Sequence, residues 1–285
     1  MIDWISALVR ALSFVALFQA AGVAIAVAVF GRCLVSSSRR VRAVGVASAA
    51  GGALLVAAHY ALEAGRMAGS LEGVFDRSLQ QMVFESPMSS AAGLRVLGLI
   101  VIAALLLRAG KAAALMGLLG VICLALAFTF VGHTADESRT SWLAVLLVLH
   151  LIVVAFWFGG LVPLYIVAGR ESAEHAVRIV AIFSRIASIA VPGLFMVGLG
   201  MTVLLVGRWS VFSEPYGLLL FGKIAGFAAL MGFAALNKWK FGPAIARGGQ
   251  AIATFRRLLV IEYVLICAVL AATTVMTTFY SPHGE

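Results

Sequence analysis

Charge is scarce in this sequence. Only 12% of its 285 residues are Asp, Glu, Lys or Arg, about half the share of an average soluble domain. Together with 63% hydrophobic residues and a mean hydropathy of +1.08, this excludes a soluble globular chain and identifies an integral membrane protein. Cysteine is nearly absent. Cys33, Cys123 and Cys267 lie in or beside separate apolar runs without CxxC spacing, which excludes a disulfide framework and a zinc site. No GxSxG, P-loop or HExxH pattern occurs, so the expectation is a protein that is not an enzyme. Residues 1–10 include Asp3 and lack both a basic leading segment and a small-residue cleavage site, so no cleaved signal peptide is expected. The net charge of +9 would suit a nucleic-acid binder. Its positive residues fall in loops between apolar runs, however, where they set topology; no nucleic-acid partner is expected.

What the sequence has in abundance is apolar length. Eight runs follow one another, near 8–30, 43–63, 91–107, 112–132, 141–168, 186–206, 216–236 and 258–279. A span needs roughly 20 residues to cross a hydrocarbon core of about 30 Å. Each must satisfy its own backbone in lipid, so the expected fold is all-α: a bundle of eight transmembrane helices forming one membrane domain over 1–285. Alternate loops carry the basic residues. Arg32, Arg39, Arg40 and Arg42, then Arg108 and Lys111, then Arg170, Arg178 and Arg185, then Lys238, Lys240, Arg247, Arg256 and Arg257 make fourteen of the 21. The positive-inside rule places those loops in the cytoplasm, leaving both termini periplasmic. The polar stretch 65–90 is expected to hold a short surface helix. Residues 170–185 have helical spacing and lead into helix six, where Pro192 should kink the rod by removing a backbone donor.

The run around His150 organises the rest. At about 1.5 Å per residue this imidazole lies on the order of 13 Å in from Trp142, and an ionisable group at that depth marks a functional site by default. Trp157 follows two turns later on the same face, and Gly159-Gly160 lets a neighbouring helix come close. His150 is either a hydrogen-bonded core histidine or a metal or cofactor ligand.

Other ligand-type side chains gather on the same side. His59 and His133 fall at the outer ends of helices two and four, with Met67 in the outer loop and Met201 and Met276 in outer half-helices. Imidazole with thioether suits copper, methionine favouring Cu(I), although methionine is also an ordinary gap-filler. Glu63 shares a helix face with His59 and Arg66, and either orients the imidazole or pairs with the arginine. Lys223 and Glu262 are charges inside apolar runs. Glu262 lies near enough to Arg256 and Arg257 for an interfacial ion pair.

In order, Gly132-His133-Thr134, His150 to Trp157-Phe-Gly159-Gly160-Leu-Val-Pro163, Phe183-Ser184-Arg185, Tyr216-Gly217 to Lys223, Leu236-Asn237-Lys238-Trp239 and Glu262 form a pattern. This pattern resembles the CopD family of bacterial copper-resistance membrane proteins, including its PcoD-like members. The resemblance implies an inner-membrane, multi-pass protein that takes copper from the periplasm, with a periplasmic copper binder, CopC, as partner. Some relatives carry CopC fused; here any such partner is expected to be a separate chain. Copper would meet His59 and His133 with outer methionines, then His150, with Glu63, Trp157, Lys223 and Glu262 in support. Two other readings remain open: a membrane cytochrome with haem between His59 and His150, and a copper-binding scaffold or sensor that transports nothing.

Overall fold

The computed structural model describes residues 1–108, 110–131, 140–205 and 215–279. They form helix α1 (Ile2–Phe30), α2 (Ser38–Ala68), α3 (Arg77–Glu85), α4 (Pro87–Leu106), α5 (Lys111–Leu126), α6 (Thr140–Arg170), α7 (Ala173–Leu205), α8 (Pro215–Leu236) and α9 (Gly249–Phe279). A 3₁₀ turn, Ala127–Phe130, extends α5, and a five-residue π-helical segment, Asn237–Phe241, extends α8. Eight of these rods are long and apolar enough to cross a membrane. Alternate rod ends collect the basic loops on one side of the bundle, called here the basic end.

The rods are longer than the apolar runs alone indicate. Helix α1 begins at Ile2, α2 spans 31 residues, and α7 runs unbroken from Ala173 through Pro192. Backbone hydrogen bonding continues past the hydrocarbon edge wherever the sequence keeps helical propensity, and hydropathy does not see that extension. The short helix expected in 65–90 is α3. Asp76 caps it, accepting from the Ser78 amide at 2.8 Å, the Leu79 amide at 3.2 Å and the Ser78 hydroxyl at 2.6 Å. Such a cap satisfies amide groups that the first turn leaves free.

Helix α1 is the mast of the bundle. Every residue from 17 to 27 is buried, and α2, α4, α5, α6 and α9 all pack on it. A helix apolar all round is one that is covered all round. Small residues make the covering tight: a Cβ placed on Gly159 of α6 would lie 2.6 Å from the Gly22 Cα and 3.0 Å from the Gly22 nitrogen. The Gln19 amide adds a buried donor to the Gly159 carbonyl at 3.0 Å. Gly160 faces the other way, onto the Phe183 ring of α7. Thus the glycine pair lets α6 approach two helices at once. Large apolar side chains such as Leu54, Ile189 and Val264 point outward, as lipid contact requires.

At the basic end, Glu171 ties α6 to the α1–α2 connection. It accepts from the Ser36 amide at 3.0 Å, the Ser37 amide at 2.9 Å and the Ser37 hydroxyl at 2.5 Å. Desolvation pushes this carboxyl up, but the Ser37 hydroxyl and the Ser37, Ser36 and Val35 amides outweigh it and hold the group below the usual range. A depressed acid stabilises the fold above its ordinary value near 4.5 and loses that contribution as pH falls below it. Glu171→Gln should therefore lower thermal stability at neutral pH by about 1 kcal/mol after solvent screening. The gap between variant and wild type should close in acid, as read by paired melting curves across pH.

Candidate metal centre

Two polar clusters interrupt the apolar interior. The first lies between α1, α2 and α4. His59 is buried in it, and the charges acting on the imidazole are the guanidiniums of Arg10, Arg95 and Arg66. Arg66 is paired with Asp3 at 3.2 Å and with Glu63 at 3.2 Å. Of the two roles open to Glu63, the one observed is the arginine pair. Arg10 reaches the Thr278 hydroxyl at 3.4 Å and lies over the Phe14 ring at 5.5 Å. Buried Arg95 lies over the Phe128 ring at 4.5 Å, and its Nε has no hydrogen-bond partner. Three guanidiniums against two carboxylates leave this layer positive, an unfavourable setting for a metal cation. Sequence reasoning passed over Arg10 and Arg95. The signal was there, since a lone charge within an apolar run is rare without a role.

The second cluster lies between α6, α7, α8 and α9. His150 is half-buried, and its Nδ1, fully shielded from solvent, has no hydrogen-bond partner. A Cβ on Gly198 of α7 would lie 3.7 Å from the His150 Cε1, an ordinary van der Waals distance that places α7 directly beside the ring. Met201 is three residues beyond Gly198, on the same face of α7. The Lys223 charge on α8 acts on the same imidazole. Two turns along α6, Trp157 is buried edge-on to Phe227, with ring centroids 6.0 Å apart. The side chains of Trp157 and Asn237 both hydrogen-bond the Glu262 carboxylate. Glu262 does not pair with Arg256 or Arg257: Arg256 is stacked over Tyr165 at 3.9 Å. Asn237, 25 residues earlier in the chain, comes within reach because α8 continues into the π-helical segment.

The neighbours of His59 come from α1, α2 and α4, whereas those of His150 come from α7 and α8. His133 lies outside the described residues, so the three-histidine arrangement expected from the sequence is not on view. Among the described residues, no group of three or more His, Cys, Asp or Glu side chains is gathered to hold a metal ion. Met276 is buried near the end of α9, while Met67 is largely exposed.

Residues 1–142 match the family model described as copper resistance protein D-like, N-terminal domain, and residues 177–276 match that of copper resistance protein D. The copper resistance protein D of Pseudomonas syringae pv. tomato is 31% identical over 181 residues, which cover 59% of this chain and 58% of that protein. This chain belongs to the copper resistance protein D family. The chain thus spans rather more than half of the relative it matches. No solved structure matches it significantly. The family match reaches into the first four spans, beyond the motifs of the second half that carried the resemblance in the sequence. His59, Arg10 and Arg95 fall in the N-terminal match, and Met201, Lys223, Asn237, Glu262 and Met276 in the C-terminal one; His150 and Trp157 lie between the two.

Proposed function

We propose that this chain carries copper across the bacterial inner membrane, from the periplasm toward the cytoplasm, as part of copper resistance or uptake. The observation that supports this most directly is the His150 Nδ1: a shielded imidazole nitrogen with no hydrogen-bond partner, beside Gly198 of α7. A buried polar atom left unpartnered is unfavourable, and a soft or borderline cation supplies what it lacks. His150 with Met201 forms the core of the ligand set, with Met276 in the same outer half. Nitrogen and thioether ligands of this kind suit Cu(I). His133 and Met67 serve as collecting positions on the outer side. His59 stands apart from this set, because its neighbours come from α1, α2 and α4 rather than from α7 and α8. The basic loops face the cytoplasm under the positive-inside rule, so both termini are periplasmic. A periplasmic CopC-like protein is the natural donor.

Cells lacking other copper importers and expressing this chain should accumulate more copper than cells carrying an empty vector, as measured by elemental analysis of washed cells. Equal accumulation would remove transport and leave a copper-binding scaffold. A reporter fused after Glu285 should be active only in the periplasm.

A further inference from the structure

We propose that Glu262 is a proton-binding site whose proton is exchanged against copper, so that this chain couples copper movement to a proton. The inference rests on the copper reading above and names its coupling ion. Its basis is a cavity of about 210 Å³ between α6, α7, the Asn237–Phe241 segment and α9. The walls are mostly apolar, Trp157 and Phe183 among them, and the polar groups are Ser184, Ser188, Asn237, Lys238 and Glu262.

Glu262 is 2% exposed, and its two hydrogen-bond donors, the Asn237 amide and the Trp157 indole, are both neutral. The carboxylate has no salt-bridge partner among the described residues. A buried charge without a counter-charge is costly, and a group in that position lowers the cost by gaining or losing a proton. The second, independent feature is Asn237 itself. It is 7% exposed, its Nδ2 donates to Glu262, and its Oδ1 has no partner. A proton on Glu262 supplies the missing donor. The carboxylate takes one proton from water at the cavity mouth and becomes a neutral acid. The Asn237 amide then turns over, so that Oδ1 accepts the new carboxyl O–H. The Nδ2–Glu262 hydrogen bond is given up in exchange, and no covalent bond other than the carboxyl O–H is made or broken. The cavity gives the amide room to turn, and its mostly apolar walls do not provide the six or more oxygen ligands that a hard metal cation takes.

The groups facing this acid leave it free to respond. Trp157 on α6 and Ser184 and Ser188 on α7 do not titrate near neutrality. Lys238 donates to the Ser188 hydroxyl at 2.7 Å, at the basic end of the cavity. On α9 itself, Tyr263 is stacked on Phe158 and Arg256 on Tyr165. Trp157 connects the acid to the copper ligand, since it lies on the α6 face of His150 about 10 Å farther along. A unit charge at about that distance or beyond, in a medium of effective dielectric about 20, links the two occupancies by up to about tenfold in affinity. Copper at His150 therefore favours loss of the proton from Glu262, and the return of the proton favours release of copper.

The test uses the full chain in sodium-free proteoliposomes holding a pH dye, with ascorbate-maintained Cu(I) added outside. Copper uptake should be matched by a change in internal pH that is absent in Glu262→Gln. Copper uptake without a pH change overturns the proton site and leaves the transport reading standing. A second readout needs no transport: the infrared carboxyl band of the copper-free protein. A band that titrates in wild type, is missing in Glu262→Gln and shifts in Asn237→Ala supports the site, even if no copper enters and the transport reading fails. Absence of such a band overturns the site whatever the transport result. Should Glu262→Gln fail to fold, Asn237→Ala keeps the acid in place, and its unshifted band has the same force against the proposal.

Discussion

Gly159→Ala should weaken the bundle by about 1–3 kcal/mol, and Gly159→Leu should abolish its accumulation in the membrane. The new Cβ meets the Gly22 backbone of α1, so no flexible side chain can give way. Relief requires α1 and α6 to separate, which also stretches the Gln19–Gly159 hydrogen bond and opens the face where α6 meets α1. Gly193→Ala is the control, because nothing lies within 4 Å of a Cβ there and alanine is the better helix former. Detergent-solubilised yield and melting temperature distinguish the three variants. A wild-type melting curve for Gly159→Ala would mean that the two helices do not touch at this point.

His150→Gln should insert and melt like wild type while losing most copper accumulation. Glutamine keeps a hydrogen-bonding side chain of similar reach and lacks the imidazole nitrogen. Losses in the shell behind a metal ligand commonly cost about 10- to 100-fold in affinity, so loss of the ligand itself should cost at least that. His150→Leu separates the alternatives. A hydrogen bond inside a membrane is worth on the order of 0.6 kcal/mol, so a purely structural His150 would show a small stability loss in Leu and normal copper handling in Gln. Copper content and melting temperature are to be measured on both variants side by side. Met201→Leu should reproduce part of the copper defect with little change in stability, since leucine preserves volume.

The eight spans were legible because lipid leaves the backbone no alternative, and a run of apolar residues records that constraint directly. The short α3 and the continuous α7 were legible as well, from polarity and helical spacing. Gly159-Gly160 was readable as a close-approach point, though not which helices it served. Partners across the bundle were not legible. Glu262 looked like a partner for the arginines five and six residues before it, but its partners are Trp157 and Asn237, the latter brought in by a π-helical segment that no periodicity signals. Arg10 and Arg95 were hidden by averaging, since one charge barely lowers the hydropathy of a twenty-residue run. The order in which helices surround α1 is also absent from any single helix's pattern, and that order sets which neighbours His59 and His150 each acquire.

The burial of α1 has a consequence for how the molecule is made. Its covering helices α6 and α9 leave the ribosome long after α1 does, so during synthesis the Gln19 amide and the small-residue surface beside Gly22 are without their final partners. Contacts between segments so distant in sequence form late and slowly. Until they form, the nascent chain is an incomplete barrel of staves around a bare pole. Quality-control proteases that survey half-built membrane proteins have their longest opportunity in that interval, and substitutions along the α1–α6 seam would lengthen it before they changed anything in the finished bundle.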